Sequence, residues 1–471
     1  MTETTSGGAL FNAENLPKIV VLAGGTGLHA INVFIGGTLM PSVVADIGGL
    51  DLFAWTTTLF IVSSIIASSF AAVRPFGIGP RGNYLLAAGM FGLGSLLCGL
   101  SPNIVVLLIG RTVQGFGAGL LVAMTYAMIR LVFPQPLWTR ALGLNSVIWG
   151  AATLVGPAIG GLFAEFDAWR WAFFSLVPLA ALVAGLAARV IPNRSDEQGL
   201  AHVPVTQIAL IVIAMLAISL ASAITAQTLP SGLLVAVATA ALAAVVLLEL
   251  RSTNRLLPTG TFRFGTPIAT LFAIMVLMQF TITSDVFVPY FLQALHGQSP
   301  LIAGYLVALM AVGWSTGSVT LSGWSGSRAQ LLVQLGPVLV LIGAIGLALF
   351  VGHLNLDGNL VLVVPIAVAL IIMGLGMGIL WPHMMGRIFE AAPPGEKDVT
   401  TAAITMAQLF ASGLGAAIGG MIVNVAGLAR ATAPAHAVLP ALWLYGLFAI
   451  VPPAGIVLTR RLIRGERMRS A

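Results

Sequence analysis

The sequence predicts an all-α membrane protein of fourteen transmembrane helices, built as two six-helix repeats with an inserted central helix pair. Three observations predict it: a scarcity of charge, fourteen apolar runs of spanning length, and one offset that relates the two halves of the chain.

Of the 471 residues, 58% are hydrophobic and 8% charged, against about 25% charged in soluble domains. A soluble fold of this length would bury a large core yet still need ionised side chains over its surface, and these are too few to cover it. The outer surface must therefore face lipid. The net charge of +6 does not indicate nucleic acid, because the basic residues stand singly between apolar runs and form no patch. Residues 1–17 carry Glu3 and Glu14 and lack the basic start and small-residue cleavage site of a secretory signal, so the first apolar run is expected to remain as a span. The one cysteine, Cys98, lies in an apolar run with no second thiol to pair with or to share a metal, and reads as a packing residue. No metal site and no cofactor is expected.

A span takes about 20 mostly apolar residues. Such runs occur at 18–40, 53–73, 83–100, 104–132, 138–164, 171–191, 205–227, 231–250, 266–292, 301–324, 331–351, 360–385, 401–428 and 438–459. The basic residues check this count. Eighteen Lys and Arg fall on one side, Arg170 and Arg430 fall on the other, and Arg111 lies within a span. Cytoplasmic loops hold the excess of Lys and Arg, so both termini are expected in the cytoplasm and the protein in a bacterial inner (plasma) membrane. A span missed or invented mid-chain would destroy the asymmetry.

The halves are related by an offset of 259 residues, which carries Gly115, Gly117 and Gly119 onto Gly374, Gly376 and Gly378, and Gly156, Gly160 and Gly161 onto Gly415, Gly419 and Gly420. The same offset takes Pro134 to Pro393, so loop and helix registers agree. Parallel six-helix repeats with a substrate site between them near the midplane are a transporter architecture. The expected units are 1–191, an N-terminal repeat; 192–265, linkers with the two inserted helices; and 266–471, a C-terminal repeat. The charged, proline-bearing stretches 192–204 and 251–267 mark the boundaries. A Gly-x-Gly-x-Gly run superficially suggests a nucleotide loop, but that reading needs a strand–turn–helix context absent here. Small residues that let helices pack closely explain it better.

The fourth span runs from Leu108 to Gly119 through Arg111, Gln114, Gly115 and Gly117; the fifth carries Gly156, Pro157, Gly160 and Gly161; and Trp169, Arg170, Phe173 and Phe174 follow. In these motifs the chain resembles the fourteen-span drug:proton antiporter family of the major facilitator superfamily over nearly its whole length. The resemblance implies the major facilitator fold and gives Gly115, Gly119, Gly156, Pro157, Gly160, Gly161, Gly378 and Gly419 helix-packing and gating roles. Two departures stand out. The stretch 73–81, between the second and third spans, lacks the family's gate-locking acid. Asn32, nine residues before Pro41, stands where the exporters of this family usually carry an Asp, which weakens a reading as an exporter of cationic drugs.

Ionisable groups within a membrane are functional candidates by default. Asp285 is the acid that sits well within an apolar span, about 28 Å from its inner end at 1.5 Å per residue, toward the outer side. It reads as a proton-binding or substrate-contacting group, or as a structural pair near a helix end. Arg111 lies about 10 Å into its span, and its counterpart under the offset is Leu370. A permanently charged guanidinium there can attract an anionic group; backbone carbonyls are the plainer alternative partners. His29 falls near the midplane with Asn32 one turn away on a similar face, a place for proton coupling or substrate contact if it is more than a satisfied core histidine. His383, near a helix end, is a weaker candidate. Gln114, Gln279 and Gln408 can hydrogen-bond a solute or glue helices together, and Trp149, Trp314 and Trp381 can stack on an aromatic solute or simply pack.

No hydrolytic triad, metal cluster or phosphate loop is readable in the sequence. The resemblance implies a secondary active transporter working by alternating access on a small organic solute, coupled to protons, and exporting drug-like or amphipathic compounds. The alternative is uptake of an organic nutrient such as a riboflavin-like vitamin or an aromatic acid; a non-transporting membrane sensor or enzyme is the distant one. The expected partners are the solute, protons and the lipid bilayer, without nucleic acid, and the protein is expected to be a monomer.

Overall fold

Lipid offers no partner to a backbone N–H or C=O, so each spanning segment must satisfy its own, and helices do so within one segment. The computed structural model describes residues 15–71, 79–133, 138–192, 204–225, 227–252 and 254–470. Among them the α-helices, in order, are α1 (Leu16–Ile47), α2 (Phe53–Ala71), α3 (Gly79–Gly99), α4 (Ile104–Val132), α5 (Trp138–Glu165), α6 (Trp169–Val190), α7 (Val205–Ala223), α8 (Thr228–Arg251), α9 (Pro267–Ile282), α10 (Val288–His296), α11 (Pro300–Leu321), α12 (Gly326–Phe350), α13 (Leu360–Ala391), α14 (Lys397–Val425), α15 (Val438–Phe448) and α16 (Pro452–Ser470). They supply 14 segments long and apolar enough to cross a membrane, and every expected run is one of them. Residues 1–14, the stretch 73–78, Pro134 and most of the linker 192–204 lie outside the described residues.

Two expected spans are not single helices. The ninth is α9, a 3₁₀ segment Thr283–Phe287 and α10. Pro289 has no N–H for the Asp285 carbonyl, so Val288 N–H supplies the bond one residue early and the helix tightens. Thr281, Thr283 and Ser284 turn their hydroxyls back onto carbonyls in the same stretch. The last span breaks between α15 and α16, where Pro452 and Pro453 remove two consecutive donors. Pro41 and Pro157, by contrast, lie inside α1 and α5 without ending them.

The chain divides into two compact units, Met1–Gly48 with Leu59–Val203, and Gly49–Thr58 with Pro204–Ala471. In the first, α4 lies between α2 and α3. A Cβ on Gly115 would strike the Phe60 carbonyl and the Ser63 hydroxyl of α2, one on Gly119 the Ser64 backbone, and one on Gly117 the Phe91 backbone of α3. Ser64 Oγ, brought close by the missing side chains, donates to the Gly115 carbonyl at 2.8 Å. On α5, Gly156 and Gly160 face Phe34 and Ile35 of α1 in the same manner. At the junction of α1 and α6, Asp46 Oδ2 accepts from Arg170 Nη1 at 2.8 Å and from Trp169 Nε1 at 3.0 Å.

In the second unit α13 lies between α11 and α12. Gly374 and Gly378 rest on the backbone of Met310 and Trp314, and Gly376 on that of Gly336 and Val340. Gly415 of α14 abuts Phe280 and Thr283, and Gly419 abuts the Phe287 ring. Asn424 Nδ2 reaches the Asp51 carbonyl at 2.8 Å and the Ser222 carbonyl and hydroxyl, each at 3.1 Å, fastening α7 to α14. Two carboxylates order the linker after α8. Glu249 accepts from Leu256 N and Leu257 N, and Glu396 accepts from Thr259 N and Oγ1. Arg387 Nε donates to Glu466 Oε1 at 2.8 Å, joining α13 to α16.

Gly374→Val places branched carbons where α11 backbone already lies, an overpacking cost of about 1–3 kcal/mol. Purified protein carrying it is expected to unfold at a lower temperature in detergent by a readily measured margin. Gly386→Ala, on the same helix with open space at its Cβ position, is expected to match the parent; equal melting of all three proteins would refute the close-packing account.

Candidate functional site

The first unit gathers four of the sequence-predicted polar residues. His29 and Asn32 come from α1 and Arg111 and Gln114 from α4, and all four are buried. Arg111 Nη1 donates to Gln114 Oε1 at 2.6 Å and to Asn32 Oδ1 at 3.2 Å. Gln114 Nε2 donates onward to Ser95 Oγ at 2.9 Å, and the Ser95 hydroxyl donates to the Phe91 carbonyl at 2.8 Å. A polar chain thus runs from the guanidinium through α4 into α3 and ends on backbone, each donor finding an acceptor.

Phe60 of α2 underlies the cluster. The Arg111 Cζ lies 4.4 Å from the centre of its ring, and the His29 ring stacks on it at 5.6 Å with a 25° tilt. A buried guanidinium is costly unless hydrogen-bonded, and here two amide oxygens and an aromatic face share its charge. Gly36 lies beside it, where a Cβ would stand in ordinary contact 3.4 Å from Arg111 Nη2. Trp149 of α5 meets His29 edge-on at 5.8 Å and Phe34 at 6.5 Å. Two buried polar atoms of the cluster, His29 Nδ1 and Asn32 Nδ2, have no hydrogen-bond partner.

The second unit holds the remaining candidates in separate places. Gln279 Nε2 of α9 donates to Ser412 Oγ of α14 at 3.0 Å while its Oε1 has no partner. Gln408 is half-buried one turn before Ser412 on α14. Trp314 and Trp381 pair with each other across the α11–α13 crossing, 5.7 Å apart and tilted 54°. Asp285 is half-buried in the 3₁₀ break. Beside that break Phe287 packs on Phe53 at 5.5 Å, and near the other break Phe448 stacks on Phe280 at 4.8 Å. The weaker candidate His383 contacts the Leu321 carbonyl through Nε2 at 3.2 Å and lies with the Arg387 pairing at the end of α13.

Sequence reasoning missed Phe60, Ser95 and Ser412. Phe60 is one apolar residue in an apolar helix, and Ser95 and Ser412 are small hydroxyls among many, so only the tertiary pairing singles them out. The polar chain has no mirror image under the 259-residue offset: Leu370 and Met373, the counterparts of Arg111 and Gln114, are fully buried and apolar.

The profile of the family described as Major Facilitator Superfamily matches residues 22–416. The chain is 37% identical over 478 residues, 99% of each protein, to a Mycobacterium tuberculosis protein named "Probable multidrug-efflux transporter". It is 26% identical over 388 residues to the multidrug efflux pump SdrM of Staphylococcus aureus, covering 78% of this chain and 80% of that one. Among solved structures its fold is similar to that of a D-xylose–proton symporter, with a TM-score of 0.64 at 16% identity over 94% of this chain and 96% of that one. These are transporters, not enzymes, and the match runs the length of the chain, through the α4 and α5 motifs on which the site is built. This fourteen-span protein belongs to the Major Facilitator Superfamily.

Proposed function

We propose that the protein exports drug-like, amphipathic compounds by alternating access, driven by the proton gradient. The observation that carries the export reading is the end-to-end similarity, 37% identical over 99% of both chains, to a protein named as a multidrug-efflux transporter. In this reading 1–191 and 266–471 act as the two repeats and 192–265 as an insert. The Lys and Arg asymmetry supports a bacterial inner membrane with both termini in the cytoplasm, and the protein works as a monomer.

The roles divide by unit. Arg111, Asn32, His29 and Gln114 form a substrate-contacting cluster held rigid by Phe60 and Ser95. Asp285 is the proton carrier. A carboxylate at a 3₁₀ break, with part of its surface open, can exchange a proton in a way that a carboxylate sealed in a continuous helix cannot. Gln279, Gln408, Trp314 and Trp381 supply further contacts to the solute, and the glycines of α4, α5, α13 and α14 let the helices shift against one another.

Cells producing the protein are expected to hold less of a panel of anionic, neutral and cationic amphipathic fluorophores than cells without it, and the difference should vanish when a protonophore collapses the gradient. Raised accumulation of a nutrient would overturn export in favour of uptake. Asp285→Asn is expected to cut proton-driven export at least tenfold in vesicles while solute exchange without a gradient continues; full proton-driven export by the variant would remove Asp285 from coupling. Gln114→Ala removes the acceptor of one Arg111 N–H and the donor to Ser95, a loss of about 1–3 kcal/mol, and is expected to lower transport about tenfold with normal membrane levels, measured as initial rate against amount of protein.

A further inference from the structure

We infer that the cluster formed by Arg111, Asn32 and His29 receives a negatively charged acceptor group, so that the preferred cargo is an amphipathic aromatic acid rather than a cation. This rests on the export reading above and adds the chemical class of its substrate.

The orientation of one amide carries the argument. An Asn side chain can be turned either way, and its direction is read from its neighbours. Arg111 Nη1 donates to Asn32 at 3.2 Å, and a guanidinium has no acceptor to offer, so the atom facing it must be Oδ1. The Asn32 amide nitrogen then points away with its two N–H bonds, fully buried and without a hydrogen-bond partner. Buried donors are nearly always satisfied, so an unpartnered one marks a place where an acceptor, from a ligand or a water, can bind. His29 Nδ1, one turn earlier on α1, is the second unpartnered polar atom.

Charge decides which acceptor fits. Arg111 brings a permanent positive charge, which the amide oxygens of Asn32 and Gln114 and the Phe60 ring share. The carboxylates among the described residues of the first unit are Asp46, Glu165 and Asp167, all exposed at helix ends, and Asp46 is engaged by Arg170 and Trp169. A cation brought to the cluster meets repulsion from the guanidinium. A carboxylate meets a positive field and a waiting amide donor. The aromatic preference follows from Trp149, half-buried beside the cluster and already in T-shaped contact with His29 and Phe34, which offers an arriving ring an aromatic neighbour.

The test uses the purified full-length protein and one naphthalene scaffold in three forms: 2-naphthylacetate, its primary amide and 2-naphthylethylamine. Equilibrium dialysis is expected to show the acid bound at least tenfold more tightly than the amide, with the amine weakest. Asn32→Asp, which sets a carboxylate against Arg111, is expected to abolish the preference for the acid and to raise amine binding. If that variant does not fold, the order of the three wild-type affinities decides alone. Amine binding equal to or tighter than acid binding overturns the inference, as does no binding of any of the three. Export of the amine from cells would then leave the export reading standing. Tight binding of the acid with no export of it from cells would keep the substrate class and sink the export reading.

Discussion

Helix α4 can carry a buried guanidinium because glycines on its flanks bring it close to its neighbours. Gly115 and Gly119 let it touch the backbone of α2, and Gly117 lets it touch that of α3. At that distance Phe60 comes within reach of Arg111, and Ser95 within reach of Gln114. A bilayer supplies little hydrophobic force between helices, so close backbone approach and interhelical hydrogen bonds must hold them together. The glycines set the approach, and the approach sets the polar chain. Widening the α3–α4 approach by one methyl group would stretch the bond from Gln114 to Ser95.

Proline does the complementary work in the second unit. Pro289, and the pair Pro452 and Pro453, withdraw donors from the ninth and fourteenth spans, and each break is bordered by aromatic rings, Phe287 on Phe53 and Phe448 on Phe280. Irregular backbone at membrane depth survives only where protein or a watery cavity covers it. The rings provide the cover, and the hydroxyls of Thr281, Thr283 and Ser284 turn back onto carbonyls around the break. Asp285 owes its place to the break, since in an unbroken helix its carbonyl would be bonded to residue 289 and its side chain would lie one turn along a regular face.

Much of this was legible in the sequence. The fourteen runs are readable because spanning length and charge depletion are properties of composition; 104–132 matches α4 end to end, where the Asn103 side chain caps the helix through Val106 N at 3.1 Å. The pairing of His29 with Asn32 on one face followed from the helical period, and both join the cluster that Arg111 anchors. What stayed hidden was tertiary. A proline in a span reads the same whether it is absorbed, as Pro41 and Pro157 are, or breaks the helix, as Pro289 does, because the outcome depends on whether neighbours supply replacement hydrogen bonds. Phe60 could not be singled out, since its role comes from two partners on other helices.

The glycine contacts recur in both units while the polar chain occurs in one, and the difference bears on function. If Arg111 served only to support the frame, the duplicated frame around α13 would need an equivalent, and Leu370 with Met373 packs there without one. A buried charge that architecture does not require persists against its desolvation cost only if something else uses it. The frame is therefore common to the two units, and the buried polar groups are not: a cationic cluster on α1 and α4 in one unit, and a carboxylate at a helix break in the other.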